Sequence, residues 1–219
     1  MNAARHAIAA TAAACIVAGG LGLAAAIAVA ADPPATTAAP TATLSGQALL
    51  AALRRGGYVL YFRHTSTDFG ENDDAMTSFD DCTKQRNLTD QGRAEARAIG
   101  AAITQLAIPI GEVLASPYCR TLETGRLMFG RGTATPAVRG GPATPADPSR
   151  YAELRRLLST PVKAGTNLVI ASHGNPFYGV AGPPHLAEGE AAVIEPLGAA
   201  GFRIVARIPK AGWDALGRT

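Results

Sequence analysis

Residues 57–68 have the sequence GYVLYFRHTSTD, and this stretch determines the predicted fold. Its first half is apolar and aromatic and follows a pair of glycines, a pattern typical of a buried strand. The strand ends abruptly in Arg63 and His64. In open α/β sheets, ligands bind in the crevice outside the carboxyl ends of the strands, and a guanidinium there is suited to hold an oxyanion. The stretch therefore predicts an anion-binding site at a sheet edge.

Two other apolar runs end in similar polar residues. One is followed by a helix that carries Arg120 in its first turn, and the other ends at Ser172 and is followed by His173. Helical patterns separate these strands, and strands that alternate with helices predict an α/β fold, here a three-layer α/β/α sandwich with a mixed, mostly parallel sheet. A closing strand pair is expected over residues 190–195 and 202–208.

Two guanidiniums and two imidazoles at one sheet edge suit a phosphate group. Arginine offers planar, bidentate donors, and an imidazole can attack phosphorus to give a covalent intermediate that water later cleaves. Because Arg63 and Arg120 disfavour a protonated neighbour, His64 is expected to stay neutral near pH 7, whereas bound phosphate would favour a cationic His173. No metal is needed, since the arginines stabilise the charge.

Composition limits the possible functions. With 219 residues, 47% of them hydrophobic and 17% charged, the chain is expected to form one globular domain with appendages. A net charge of +3 and only 5% aromatic residues argue against a nucleic-acid partner. No close His-x-His or His-x-x-x-His spacing occurs, so no metal and no cofactor are predicted.

The N-terminus predicts export. Residues 1–30 have a basic start, a long uncharged apolar run and a small-x-small site before Ala31, as in a cleaved signal peptide. The alternative is an uncleaved membrane anchor, because the run is long enough to span a bilayer. Residues 31–43, rich in Pro, Ala and Thr, are expected to be a flexible linker, and residues 44–219 to be the folded domain.

Two cysteines remain if the signal is cleaved, Cys82 and Cys119. In an oxidising compartment, such a pair is a disulfide candidate. The alternative is two unrelated buried thiols, because the sequence does not test the geometry.

A helix is predicted from Thr89 onward, and an acidic loop precedes it. Thr89 is a good N-cap, whereas Gly92 in the first turn costs helix stability unless another element approaches closely there. Residues 66–86 have no clear period and are expected to run over the active edge as a polar loop. Residues 130–149, rich in Gly, Pro, Ala and Thr, are also predicted to be loop.

Four ordered motifs resemble the signature of the histidine phosphatase superfamily, which has the phosphoglycerate-mutase-like fold. They are YFRHT at 61–65, LTDQG at 88–92, ASPYCRTLET at 115–124 and SHG at 172–174. The resemblance implies that His64 is the phosphorylated nucleophile and that Arg63, Arg120 and His173 form the phosphate pocket. Thr65 stands where the family usually has glycine, and it is included among the substrate-binding residues.

The general acid is unassigned, because neither position that supplies it in the family carries an acidic residue here. The mutase branch supplies it from a Leu-x-Glu segment, but residues 130–148 contain no glutamate. The acid-phosphatase branch has aspartate directly after the second histidine, where Gly174 stands here. Asp68 and Glu188 are carried as possible general acids. The other candidates are Asp73, Asp74 and Glu190.

The sequence thus predicts a secreted or periplasmic, metal-independent phosphatase that hydrolyses phosphomonoesters through a phosphohistidine on His64. The alternatives are a catalytically weak phosphate-ligand binder with the same fold and a phosphoryl-transfer or mutase enzyme. The expected partner is a small phosphorylated substrate or a phosphoprotein. Neither nucleic acid nor stable membrane insertion after signal cleavage is expected, and no oligomeric state is predicted.

Overall fold

The computed structural model describes residues 43–218 of the chain. The predicted signal peptide at residues 1–30 and all but the last residue of the predicted linker at 31–43 lie outside the described residues. Within residues 43–218, no helix is long and apolar enough to cross a membrane.

The described residues form a mixed six-stranded sheet in the order β3-β2-β4-β1-β5-β6. The first four strands in this order are parallel, and β5 and β6 each run antiparallel to their neighbour. The predicted mixed, mostly parallel sheet and the closing antiparallel pair are therefore confirmed. The strands are β1 Val59–Arg63, β2 Ile110–Ala115, β3 Thr133–Ala134, β4 Asn167–Ser172, β5 Ala191–Pro196 and β6 Phe202–Ile208.

Helices cover both faces of the sheet because β1 is apolar on both sides. Leu60 and Phe62 belong to one buried cluster with α1, α2 and α3, while Val59 and Tyr61 belong to a second cluster with α4 and α5. This arrangement is the predicted three-layer sandwich. The helices are α1 Gly46–Arg55, α2 Asp90–Gln105, α3 Cys119–Phe129, α4 Ala152–Ser159 and α5 Gly174–Ala181.

The start of α2 explains the glycine in its first turn. Thr89 is the N-cap, and its side chain accepts a hydrogen bond from the Gly92 N–H at 3.0 Å. A Cβ on Gly92 would lie 2.0 Å from the Ser66 carbonyl oxygen, which is closer than any real contact. The helix therefore tolerates glycine there because the chain following His64 passes directly over it.

Residues 130–149 are more ordered than predicted. They include the short edge strand β3, which pairs with β2, and a 3₁₀ turn at Pro136–Val138. The Ser172 hydroxyl donates to the Val138 carbonyl at 2.6 Å, so this segment is bonded to the end of β4. The sequence lacked periodicity here because two residues of strand are too short to show any.

Candidate active site

The central strands bring the predicted site residues to one edge of the sheet. Strand β4 lies between β1 and β2, and Arg63 is paired in register with Ser172. The His64 N–H donates to the Ser172 carbonyl at 3.0 Å, and the Ser116 N–H donates to the Ala171 carbonyl at 2.9 Å. The chain therefore leaves all three strands at the same level, and the side chains that follow the strands meet there.

These side chains line a cleft of about 390 Å³. It is lined by all four residues predicted to be catalytic: Arg63, His64, Arg120 and His173. The remaining lining residues come from the acidic loop, the start of α3, residues 140–141 and the start of α5. They are Glu71, Asn72, Asp73, Asp74, Arg86, Tyr118, Gly140, Gly141, Gly174 and Asn175.

His64 is held as a neutral imidazole with one free nitrogen. It is 2% exposed, and its Nδ1 lies 2.9 Å from the Thr65 carbonyl oxygen. A carbonyl only accepts, so Nδ1 carries the proton and Nε2 keeps a lone pair. Burial lowers the pKa of His64 to about 3, the hydrogen bond to Thr65 opposes this shift, and Arg120, Arg63 and Arg86 add to it. His64 thus has the protonation state of a nucleophile.

His173 lies beside His64, and it too is held neutral. The two ring centroids are 5.5 Å apart in an edge-on arrangement. Burial lowers the pKa of His173 well below its usual value, with further contributions from His64 and three arginines. Its Nε2 lies 2.8 Å from the Ser116 hydroxyl oxygen, which fixes the plane of the ring.

The Arg63 guanidinium is oriented by a main-chain carbonyl and by a carboxylate. One guanidinium nitrogen donates to the Leu186 carbonyl at 2.9 Å, and the other lies 3.6 Å from Glu188 Oε1. Glu188 also accepts from the Thr67 hydroxyl at 2.7 Å and lies 3.8 Å from His64 Nδ1. The carboxylate therefore sits on the protonated side of His64, away from Nε2.

Arg120 already holds an anion from the chain itself. Its two terminal nitrogens each donate to one oxygen of Asp73 at 2.9 Å, a bidentate pair. The guanidinium also donates to the Arg86 carbonyl at 3.1 Å and lies over the Tyr118 ring, 4.5 Å from its centroid. The Arg120 side chain is only 6% exposed, so its orientation is fixed.

Arg86 is a site residue that sequence reasoning missed. It lines the cleft, and its charge contributes to the lowered pKa of both His64 and His173. Its guanidinium lies 4.9 Å from the centroid of the Phe69 ring. The available signal was its place two residues before the LTDQG motif, but a single arginine in an aperiodic loop does not show which way it points.

Three predicted residues do not line the cleft. Thr65 is fully buried, and its carbonyl serves His64. The carboxylate of Asp68 is exposed, accepts from the Gly70 N–H at 2.7 Å, and faces a neighbouring groove. The Glu188 carboxylate accepts a hydrogen bond from the Thr67 hydroxyl and does not line the cleft. Of the other acidic candidates, Glu190 pairs with Arg207 away from the cleft.

Comparison with solved structures identifies the architecture. The chain has the histidine phosphatase fold. The structure of the protein histidine phosphatase SixA complexed with tungstate matches 70% of this chain and 97% of that chain, with 18% identity and a TM-score of 0.50. The mycobacterial glucosyl-3-phosphoglycerate phosphatase Rv2419c with inorganic phosphate matches 73% of this chain and 99% of that chain, with 12% identity and a TM-score of 0.52. The sequence matches no protein-family model and no curated protein.

On this histidine phosphatase fold, a disulfide fixes the acidic loop to the cleft. Cys82 and Cys119 are bonded, with their Cα atoms 5.7 Å apart and a separation of 37 positions in the sequence, so the predicted bridge is present. The Cys119 N–H also donates to the Gln85 side-chain oxygen at 2.9 Å. Because Arg120 follows Cys119 directly, the end of the loop is held beside the anion-binding arginine.

Proposed function

We propose that the protein is a metal-independent phosphatase that hydrolyses phosphomonoesters through a phosphohistidine on His64. The observation that carries this proposal is the neutral His64, whose unprotonated Nε2 belongs to a cleft lined by three guanidiniums. A neutral imidazole is nucleophilic, and fixed guanidiniums stabilise the charge that develops on a transferring phosphoryl group. The substrate is a small phosphorylated molecule or a phosphoprotein.

The proposed reaction has two steps. In the first, the Nε2 lone pair of His64 attacks phosphorus, and the P–O bond to the leaving group breaks with its electrons on the leaving oxygen. Arg63, Arg120 and His173 hold the non-bridging oxygens. In the second, a water oxygen attacks phosphorus and loses a proton, and the P–N bond breaks with its electrons returning to Nε2. Inorganic phosphate is released, and the neutral imidazole is restored.

The structural neighbours support this assignment. SixA is a protein histidine phosphatase whose structure contains tungstate, and Rv2419c is a glucosyl-3-phosphoglycerate phosphatase whose structure contains inorganic phosphate. Both ligands are oxyanions, the class of ligand for which the three guanidiniums of this cleft are suited.

Rapid-quench labelling tests the proposal. The purified protein is mixed with a radioactive phosphomonoester and quenched in base, and an acid-labile label on the protein is expected. His64→Ala should lose both label and turnover, whereas His185→Ala, which removes an exposed imidazole outside the cleft, should retain both. Activity near the wild-type level in His64→Ala would refute the mechanism. Activity lost on treatment with EDTA and restored by a metal would refute metal independence.

One observation favours a second candidate, a phosphate-ligand binder without turnover. The Asp73 carboxylate is paired with Arg120 and accepts one hydrogen bond from each of its two terminal nitrogens, for which a phosphoryl group would have to compete. Such a protein would bind vanadate or phosphate at the cleft yet release no phosphate from any ester. Calorimetric titration with vanadate alongside a phosphomonoester panel separates the two candidates.

We also propose that the protein is periplasmic or secreted and begins near Ala31 after signal cleavage. The sequence pattern of residues 1–30 and the Cys82–Cys119 disulfide support this, since such bonds persist in oxidising compartments. N-terminal sequencing of protein recovered from the periplasm or the medium tests it. Recovery of Met1 in a membrane fraction would instead favour the anchor.

A further inference from the structure

We propose that Asp73 is the proton donor of the reaction and that it exchanges places with the phosphoryl group at Arg120. This inference rests on the proposed phosphatase function and names the group which that function lacks. The proposal is based on the bidentate pair, in which the Asp73 carboxylate accepts two hydrogen bonds from Arg120, a residue predicted to bind phosphate.

The pair has the geometry that a phosphate would take. Two parallel N–H···O bonds of 2.9 Å join the Arg120 guanidinium to the two Asp73 oxygens, and a guanidinium fork binds carboxylate and phosphate in the same bidentate way. The guanidinium also donates a hydrogen bond to the Arg86 carbonyl, which orients it toward the acidic loop. A phosphoryl group that takes these two donors must therefore displace the Asp73 carboxylate.

Asp73 can move without disturbing the core. It lies outside helix and strand in residues 66–86, and its side chain is 29% exposed, against 6% for Arg120. Within residues 43–218, the one other donor to this carboxylate is the Arg86 N–H, at 2.9 Å. The disulfide at Cys82 holds the later part of the loop, so a displaced Asp73 remains beside the cleft.

The exchange gives the carboxyl the proton that catalysis needs. Burial raises the pKa of Asp73, but hydrogen bonds from Arg120 and Arg86 outweigh burial and hold the pKa below its usual value. When a phosphoryl group takes Arg120, the carboxyl loses that partner and faces a new anion, with Glu71 and Asp74 on the same cleft wall. Each of these changes favours the protonated form.

The proton transfers occur in the following order. Asp73 takes up a proton from solvent as it leaves Arg120. When His64 attacks phosphorus and the ester P–O bond breaks, Asp73 gives this proton to the leaving oxygen, and the neutral alcohol departs. In the second step the Asp73 carboxylate accepts a proton from the attacking water, as a general base.

Three of the other acidic residues near the site face away from it or make contacts elsewhere. Asp68 faces the neighbouring groove, and Glu188 lies on the Nδ1 side of His64. Glu71 accepts from the Asn87 N–H at 2.8 Å. Asp74 also lines the cleft, and Glu188 lies 3.6 Å from Arg63. Among the residues the structure describes, Asp73 is the carboxylate that accepts hydrogen bonds from the guanidinium of a predicted phosphate ligand.

A leaving-group comparison tests the inference. A general acid matters most when the leaving oxygen is strongly basic, so Asp73→Asn is assayed on glycerol phosphate and on p-nitrophenyl phosphate. The expected loss of kcat is about 10²- to 10⁴-fold on the alkyl ester and less than about tenfold on the aryl ester, whose leaving group needs little protonation. The matched control is Asp80→Asn, an exposed carboxylate of the same loop outside the cleft.

Two further measurements separate a proton donor from a structural residue. Asp73→Asn should be inhibited by vanadate at lower concentration than the wild type, because Arg120 no longer carries an anionic competitor. The wild-type kcat on the alkyl ester should fall with rising pH as Asp73 deprotonates, and this limb should disappear in the variant.

Equal losses on the two esters, or unchanged turnover of the alkyl ester, would overturn the inference. Asp73→Ser gives the same comparison if the asparagine variant melts at a lower temperature than the wild type. Labelling of the phosphoenzyme with the aryl ester is the check on the underlying function. A wild-type protein without label refutes the phosphatase proposal. If the Asp73→Asn protein is labelled, the phosphatase function stands, and the leaving-group comparison then tests only the role of Asp73.

Discussion

The rings of His64 and His173 lie edge to face with their centroids 5.5 Å apart, and both are almost fully buried. Arg63, Arg86 and Arg120 all act on the pair. The cluster is stable because both rings stay neutral, and it would be destabilised by an added proton in the absence of a bound anion. The positive charge of the arginines thus has two effects: it disfavours protonation of the histidines in the empty site, and it favours binding of an anion.

The first prediction is that mild acid destabilises the empty protein through His64. A histidine has a pKa of about 6.5 in the unfolded chain, and the folded value is about 3. Between these values the unfolded state binds more protons, so the free energy of unfolding falls as the pH falls. Urea denaturation at about pH 7.5 and about pH 5 should show the loss.

The histidine variants decide whether His64 is the cause. His64→Gln should weaken this pH dependence, whereas His185→Gln, at an exposed position, should leave it unchanged. A free energy of unfolding that does not change between the two pH values would contradict the prediction. So would an equal dependence in His64→Gln and the wild type.

The second prediction ranks the arginines. Arg63→Ala and Arg120→Ala should each lower kcat by about 10²- to 10³-fold, the usual effect of removing one donor to transition-state charge. Arg86→Ala should mainly raise KM. The variant loses the charged side chain from the cleft but keeps the main-chain carbonyl that accepts a hydrogen bond from Arg120, so the orientation of Arg120 is preserved. Arg97→Ala, on the exposed side of α2, is the control. Near-normal kcat in Arg120→Ala would argue against its role as a phosphate ligand.

The third prediction concerns the disulfide. Thiol titration of the denatured, unreduced protein starting at Ala31 should find no free thiol. A Cys82→Ser/Cys119→Ser variant should lose about 3–4 kcal/mol of stability, because the bond closes a long loop in the unfolded chain. Substrate binding should also weaken, since the freed loop carries Asp73 and Arg86.

Reduction of that double variant should have no further effect, which provides the control. Two reactive thiols per chain in the unreduced protein would show that the bond does not form. An unchanged midpoint of urea denaturation in the variant would show that the bond contributes no stability.

The fourth prediction is that Gly92→Ala destabilises the protein. Alanine in a helix is ordinarily favoured over glycine by about 1 kcal/mol. Here its Cβ would lie 2.0 Å from the Ser66 carbonyl oxygen, and such overpacking typically costs about 1–3 kcal/mol. Gln91→Ala, at the exposed neighbouring position, should be close to neutral. A Gly92→Ala protein as stable as the wild type would show that the loop after His64 can yield.

The sequence by itself determined the sheet and the meeting of the four predicted catalytic residues, Arg63, His64, Arg120 and His173, at one of its edges. Apolar runs such as residues 58–62 specify buried strands, and parallel strands place their carboxyl ends at one edge. Residues at the ends of three such strands, or within a few residues after them, therefore had to meet, whatever the loops do. The N-cap at Thr89 and the need for close approach at Gly92 were also local consequences of residue type.

Only the tertiary structure decided what the acidic loop contributes. Residues 66–86 lack a periodic pattern, so nothing local fixes which side chains point inward. Arg86 and the Asp73–Arg120 pair became visible only once the disulfide and the strand ends set the position of the loop. Thr65 follows His64, the proposed nucleophile, in the sequence, yet its side chain is fully buried. Neighbours along the chain at a strand end diverge in space, because successive side chains point to opposite sides.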